Sequence, residues 1–496
     1  MSTKTDRKEL LFMNILVKPG RNWALDSLVK IIRARRIALK LVWSIIILGL
    51  LSSLCYVIID AVFKYLEYEV VTTISVVHTV PIKMPTIMIC NSNALMTPVS
   101  IYFAQQVFAL YGVNITNNYL SFTYDQNVFA GTIDNVENIL LPRTMVLAAS
   151  QDPTLSDSFR QMLGLSMQEM LISCTYNGVE CTADDFTWKY DDYSGNCFQF
   201  NMSNRAQIGQ SGKFHGLTME LFVGEAEAVE QVALQNGVHL FIFNETVTTN
   251  PFSDGVDASA GKETTILIDK KRIQKIRQPY GQCTPGLTAL DSFPTDLYRL
   301  TFEIYNQYRQ KDCFNTCFQQ FLVANLSCYS LSFPYLKNTS IPACLQGMDL
   351  FNSLYFFSMF FISDVATHCV DCPLECSSEF YTLTTASLDY PTSIYAQMLA
   401  SQPQIQSRFN NTAPTYQQLK HSIVSININY NQLGYTQITE YQKLTILNLV
   451  TNIGGTVVLF MGLSCISFAE IGEFTIECIH LVMVKYVLRR KCIKTN

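Results

Sequence analysis

The chain has 496 residues, 49% of them hydrophobic and only 15% charged, against about 25% charged in an average soluble protein. That deficit excludes a disordered chain and disfavours a wholly cytosolic globule. The net charge of −5 divides into +7 over residues 1–40, +5 over residues 480–496 and −17 between them; basic ends on an acidic body argue against nucleic-acid binding, where the folded body carries the positive charge.

Along the chain, a basic segment leads into Leu41–Ile59, nineteen residues without a charge and long enough to cross a hydrocarbon core as a helix. The run starts too late for a signal peptide, exceeds an h-region of about 7–15 residues and has no small-residue cleavage site after it. Short β-branched and aromatic runs at Val70–Val77, Thr86–Cys90 and Leu240–Phe243 predict strands. Helical periodicity covers residues 155–172 and again Thr295–Tyr329, where Leu297, Leu300, Ile304 and Tyr308 recur at three- and four-residue steps. Cys313 and Cys317 sit one turn apart in that stretch and face a common partner, for which Cys369, Cys372 and Cys376 are candidates. Val424–Tyr430 alternates as a strand does, and Ile446–Phe468 is a second uncharged run of twenty-three residues.

Basic residues flank the outer ends of both runs, at Arg33, Arg35, Arg36 and Lys40 and at Lys485 to Lys491, so the positive-inside rule puts both termini in the cytosol. The expected partition is a cytosolic segment 1–40, a first transmembrane helix 41–60, an extracellular cysteine-rich domain 61–445, a second transmembrane helix 446–474 and a basic cytosolic tail 475–496. Six N-x-S/T sequons, at Asn114, Asn201, Asn244, Asn325, Asn338 and Asn410, all fall between the runs. So do twelve of the sixteen cysteines, an even number suited to disulfides in an oxidising compartment. Zinc at Cys369-x-x-Cys372 is the competing reading and fits an extracellular segment poorly. The fold class expected is an α+β membrane protein with two transmembrane helices and a large disulfide-rich ectodomain.

The cysteine string Cys313-x3-Cys317-x10-Cys328, then Pro334, Cys344 and Cys369-x2-Cys372-Pro373-x2-Cys376, resembles the thumb of the degenerin/epithelial sodium channel family. Met84-Pro85-Thr86-Ile87-Met88-Ile89-Cys90-Asn91 is similar to that family's Phe-Pro-Ala-Val-Thr-Ile-Cys-Asn, and Tyr280-Gly281-Gln282-Cys283 to its aromatic-Gly-x-Cys wrist. Asn452-Ile453-Gly454-Gly455, followed by Leu459-Phe460-Met461-Gly462-Leu463-Ser464, is similar to Asp-Ile-Gly-Gly followed by Leu-Phe-x-Gly-x-Ser. The resemblance implies a finger, thumb and palm ectodomain in a trimer. It also implies the pairings Cys90–Cys197, Cys174–Cys181, Cys283–Cys376, Cys313–Cys372, Cys317–Cys369 and Cys328–Cys344.

By the same resemblance, Gly462, Leu463 and Ser464 form a constriction whose backbone breaks so that oxygens face a permeating ion. Without the flanking motif, Gly455 and Gly462 would read as a helix-packing patch. Glu470 and Glu473 are expected as inner-mouth carboxylates, because residues 462 and 473 point within about 20° of each other on one continuous helix. Asp26 and Ser27 stand where relatives carry His-Gly in a re-entrant segment, and a serine resists backbone geometry that glycine permits. Tyr68 and Tyr280 occupy the places of an aromatic gating contact, Thr451 that of a small residue whose bulk controls opening, and Asn452 replaces the usual Asp.

The function implied is a sodium-selective or monovalent-cation channel of the plasma membrane, a homotrimer or a heterotrimer with related subunits, in contact with membrane lipid. No cofactor is implied beyond the permeant sodium ion, no metal site and no nucleic-acid partner. We expect opening by an extracellular ligand, a neuropeptide, because Glu69 and Val70 stand where acid-gated relatives have histidines and an acidic ectodomain favours a basic ligand. An acid-gated or constitutively open channel is the alternative within the family, and a non-conducting receptor the alternative outside it. No G-x-S-x-G, H-E-x-x-H or phosphate-binding glycine loop occurs, so an enzyme is not expected.

Overall fold

The computed structural model describes residues 36–110, 115–116, 119–120, 137–152, 154–191, 194–201, 207–225, 235–244, 255–286, 293–330, 333–335, 341–344, 347–362, 365–462, 476 and 479. The chain divides into two compact units, Met1–Val71 with Gln442–Asn496, and Thr72–Tyr441. Helix α1 (Ile37–Leu66) has thirty residues, about 45 Å at 1.5 Å per residue, and so overruns the expected 41–60 at both ends. It buries only Leu54, while Ile37, Ile45, Leu48 and Phe63 are each at least 63% exposed. An apolar surface of that length is at home in lipid and not in water. Among the described residues it is the one helix long and apolar enough to cross a membrane.

In the second unit, strands β1 (Val70–His78), β2 (Thr86–Asn91), β3 (Leu171–Tyr176), β4 (Phe186–Asp191), β5 (Gly195–Phe200), β6 (Leu217–Phe222), β7 (Gly237–Phe243), β8 (Val256–Ser259), β9 (Lys262–Gln274), β10 (Ser377–Asp389) and β11 (Ile423–Gln442) build two sheets. The seven-stranded sheet runs β10–β9–β11–β6–β3 to a short edge strand, Val179–Glu180, with β1 also paired to β11; the five-stranded sheet runs β8–β7–β2–β5–β4. β9 and β10 pair antiparallel without a break from Lys262↔Asp389 to Gln274↔Ser377, whereas β9 and β11 run parallel. Alternate residues then point one way. Leu217, Met219 and Leu221 of β6, Ile266 and Ile268 of β9 and Ile426 and Ile428 of β11 share one core with Ile87 and Ile89 of β2 and Leu240 of β7. Each such side chain, fully buried, stabilises the fold by about 1.5–3 kcal/mol.

Three helical lobes surround the sheets. α2 (Pro98–Leu110), α3 (Glu137–Ser150) and α4 (Asp157–Leu163) pack through Ala104, Val107, Phe108, Val146, Leu147 and Leu163. The helix expected over 155–172 is broken here. α4 stops at Gly164, where a Cβ would lie 3.1 Å from the Ala94 carbonyl and from Asn196 Nδ2. A one-turn helix with a Ser166/Glu169 capping box follows, and Leu171 already opens β3.

The thumb comprises α5 (Asp296–Tyr305), α6 (Gln310–Leu326) and α7 (Gly347–Ile362). The single helix expected over Thr295–Tyr329 is two, because Asn306 takes a left-handed conformation (φ 56°) and ends α5. The apolar rhythm survives the break because Tyr308 stacks on Tyr298 with ring centroids 3.7 Å apart. It fills a core position from a turn. α8 (Ser393–Ala400) and α9 (Tyr416–Ser422) close a small core of Ala396, Leu399, Leu419 and Ile423. The chain then returns to the first unit as α10 (Ile446–Met461), which packs against α1.

Six disulfides crosslink the second unit: Cys90–Cys197, Cys174–Cys181, Cys283–Cys376, Cys313–Cys372, Cys317–Cys369 and Cys328–Cys344. These are the pairs the family resemblance implies. Cys55, on α1, is a free thiol.

Candidate pore helix and gating joint

α10 begins where Thr445 accepts a hydrogen bond from the Asn448 amide at 3.1 Å, a side-chain N-cap. Leu449, Ile453, Thr456, Val457 and Phe460 are half-buried, whereas Thr451, Asn452, Gly454, Gly455, Val458 and Leu459 are exposed. At about 100° per residue, Thr451, Gly455, Val458 and Gly462 fall in one narrow stripe directly opposite the half-buried face. Nothing among the described residues comes within 4 Å of the positions a Cβ would take on Gly454, Gly455 or Gly462. Thr451 Oγ1 donates to the Asn448 carbonyl at 3.0 Å, and Thr456 Oγ1 to that of Asn452 at 2.6 Å, so both threonine hydroxyls are satisfied along the helix itself.

α10 ends at Met461, and Gly462 caps it with φ 68°, its amide bonding the Val458 carbonyl at 2.8 Å. A left-handed cap is glycine's usual place. α10 thus stops at the Gly-x-Ser motif, where the family resemblance implies a break in the backbone, and the rest of the helix expected over 446–474 lies outside the described residues. Leu463, Ser464, Glu470, Glu473, Asp26 and Ser27 lie outside the described residues. α10 itself is sixteen residues, about 24 Å and shorter than a hydrocarbon core of about 30 Å.

The first unit also holds a contact that no local sequence pattern marks. Lys443 donates through its backbone amide to the Glu69 carbonyl at 3.0 Å and through Nζ to Glu69 Oε2 at 2.6 Å. The two chain passages, out of α1 and into α10, are therefore tied side by side. Tyr68 sits just before this tie with φ 51°, its ring 6.3 Å from that of Tyr65. Tyr280 belongs to the second unit, half-buried in the turn that Cys283–Cys376 closes. A Cβ on Gly281 would lie 2.1 Å from the Ile276 carbonyl oxygen, which restricts that position to glycine. The Ile276 amide donates to Glu440 Oε2 at 3.1 Å, fastening the turn to the far end of β11.

The thumb is joined to β10 by a dense polar network. Tyr308 Oη donates to the Pro373 carbonyl at 2.6 Å, Gln310 Nε2 to that of Cys372 at 2.9 Å, and the Gln310 amide to Glu375 Oε2 at 3.0 Å. Burial, reinforced by the Glu375 charge, pushes the Tyr308 hydroxyl far above its ordinary range, so it remains a donor. On the sheet below, Glu379 bridges Lys270 Nζ at 2.6 Å and Arg272 Nη2 at 2.9 Å, and the Arg272 guanidinium lies 5.0 Å from the Tyr435 ring centroid. Burial pushes the Glu379 carboxyl up, but hydrogen bonds and charge from Lys270 and Arg272 outweigh it and hold the carboxyl below its ordinary value.

Of the sequon asparagines, Asn201, Asn325 and Asn410 are exposed, and Asn244 is half-buried with Nδ2 3.4 Å from Glu379 Oε1; Asn114 and Asn338 lie outside the described residues. No cluster of three metal-ligating side chains occurs among the described residues.

The profile of the amiloride-sensitive sodium channel family matches residues 22–474. The chain is 23% identical over 469 residues to the bile acid-sensitive ion channel of Mus musculus, covering 91% of this chain and 85% of that protein. It is 25% identical over 335 residues to epithelial sodium channel subunit beta of Neoceratodus forsteri, covering 66% of this chain and 49% of the subunit. Degenerin deg-1 of Caenorhabditis elegans is 26% identical over 338 residues, 66% of this chain and 41% of the degenerin. The chain thus spans about half the length, or less, of the latter two. A match across nearly the whole chain, joined to six disulfides in the family's pairing and a glycine-capped helix at its Gly-x-Ser motif, makes this protein a member of the amiloride-sensitive sodium channel family.

Proposed function

We propose that the chain is a subunit of a plasma-membrane cation channel, three copies or three related subunits surrounding an ion path lined by α10. The observation that carries this is the Thr451–Gly455–Val458–Gly462 stripe, which is exposed and lies opposite the half-buried face of α10, with nothing among the described residues within 4 Å of a Cβ at Gly455 or Gly462. Small residues there let three helices approach closely, and the helix end at Gly462 frees backbone carbonyls to coordinate a dehydrating cation. Leu463 and Ser464 complete the constriction, Glu470 and Glu473 concentrate cations at the inner mouth, and both termini are cytosolic. Sodium is the preferred ion and an extracellular neuropeptide the opening ligand; the −17 charge between the basic ends favours a basic one. Glu69, held by Lys443, and Val70 stand where acid-gated relatives carry paired histidines, which argues against the acid-gated alternative.

The test is expression of the full chain in oocytes, with external sodium exchanged for potassium and for N-methylglucamine under a screen of acid and amidated peptides. An inward current carried by sodium and abolished in N-methylglucamine is expected. Surface-labelled protein that passes no current under any stimulus, alone or with related subunits, would leave a non-conducting receptor.

A further inference from the structure

We propose that the thumb holds a binding cavity for a ligand cation, an ammonium or guanidinium group flanked by an apolar side chain; this rests on the ligand-opened reading above. A cavity of about 820 Å³ opens where the start of α5 meets α6 and the Cys369–Asp371 loop, within the size range of small-molecule and peptide side-chain sites. Its ionisable lining is Asp296, Arg299, His368 and Asp371. Arg299 Nη2 and Asp296 Oδ1 close on each other at 2.6 Å and largely cancel. Asp371 is different. Its backbone carbonyl accepts from Thr295 Oγ1 at 3.0 Å, which fixes the residue, while among the described residues its carboxylate has no hydrogen-bond or ion-pair partner. Beside it Val370 is 80% exposed, and Phe293, half-buried, also lines the cavity. A carboxylate carried on an anchored stretch of backbone, with apolar side chains beside it, suits a cation with a hydrophobic neighbour, and a charge-assisted hydrogen bond is the strong contact such a pair makes.

The position of Asp371 gives binding a mechanical outlet. Cys369 and Cys372 anchor its loop to Cys317 and Cys313 on α6, and Cys376, four residues on, is bonded to Cys283 beside Tyr280. A ligand that draws on Asp371 therefore loads a loop with three covalent anchors, one of them in the wrist turn.

The test uses the full chain on the cell surface and needs no current. Pro294→Cys places a thiol on the exposed rim of the cavity. Its rate of modification by a trimethylammonium-ethyl thiosulfonate and by a sulfonato-ethyl thiosulfonate is read by biotin chase and normalised to a free thiol. The cationic reagent should react on the order of tenfold faster. Asp371→Asn should bring the ratio near one, and Asp371→Glu should keep it. Phenylalanyl-argininamide and 2-phenylethylguanidine are then tried as competitors. Protection by both supports a site that any such cation fills, and protection by the dipeptide alone supports a peptide ligand. A ratio unchanged by Asp371→Asn, or labelling slowed by neither competitor, overturns the proposal. Intact protection on a silent protein would sink the channel reading and leave the cavity standing.

Discussion

Replacing Thr451 with Trp isolates what the outward stripe of α10 is for. Within one chain the substitution meets little: Thr451 is exposed, on the face opposite the one that packs on α1, and its hydroxyl bonds only its own helix. Any large effect must come from other copies. If three such helices converge in the closed state, each indole is a misfit costing about 1–3 kcal/mol in a tight interior. At the low end three copies total about 3 kcal/mol, which shifts a closed-to-open equilibrium by roughly a hundredfold. The expected outcome is a sustained sodium current without ligand, measured in oocytes beside surface biotinylation of the same cells. A variant that reaches the surface in normal amount and carries no standing current refutes the reasoning, and with it the assignment of this face to the ion path.

Two further substitutions probe the ectodomain. Gly281→Ala drives a Cβ to 2.1 Å from the Ile276 carbonyl; it should cut surface expression several-fold and leave Cys283 reactive in the intracellular pool, whereas Gly286→Ala, whose Cβ meets nothing within 4 Å, should do neither. Glu379 has a folded pKa held below its ordinary value of 4.5, so its contribution is complete above that value and is lost as pH falls through the folded one. Glu379→Gln should lower the Tm of the detergent-solubilised protein at pH 7 and flatten its decline below about pH 4.5; parallel wild-type and variant profiles would show that the Lys270–Glu379–Arg272 bridge contributes nothing.

Much of the site could be read from the sequence because its signals are local. A run of nineteen uncharged residues needs no tertiary context to declare a membrane helix, and the order of twelve cysteines carries a pairing once a family is recognised. Helix ends are harder. Thr295–Tyr329 contains neither Pro nor Gly, so only the left-handed Asn306 betrays the break, and Tyr308 keeps the periodicity by stacking across it. Gly164 stops α4 because Ala94 and Asn196 crowd it, neighbours that lie far off in sequence. β11 extends to Gln442, well past the expected Tyr430, since its lower half alternates weakly and is held by β9 and β1. The Lys443–Glu69 tie joins residues at opposite ends of the ectodomain, and no local pattern marks it.

The place of β11 has a consequence for biosynthesis. It is the central strand of its sheet, paired parallel to β9 and antiparallel to β6, with Leu217 opposite Ile428, yet among the described residues it is the last strand. While translation proceeds through residues 275–422, β6 and β9 wait in the lumen with the edges destined for β11 unpaired, and open edges invite wrong partners. The sheet closes only after its final ribbon arrives, immediately ahead of α10. In the two-pass topology proposed above, completion of the ectodomain and insertion of the second apolar segment become nearly simultaneous events, and a ribosome stalled before residue 423 leaves a lumenal half-sheet for chaperones to hold.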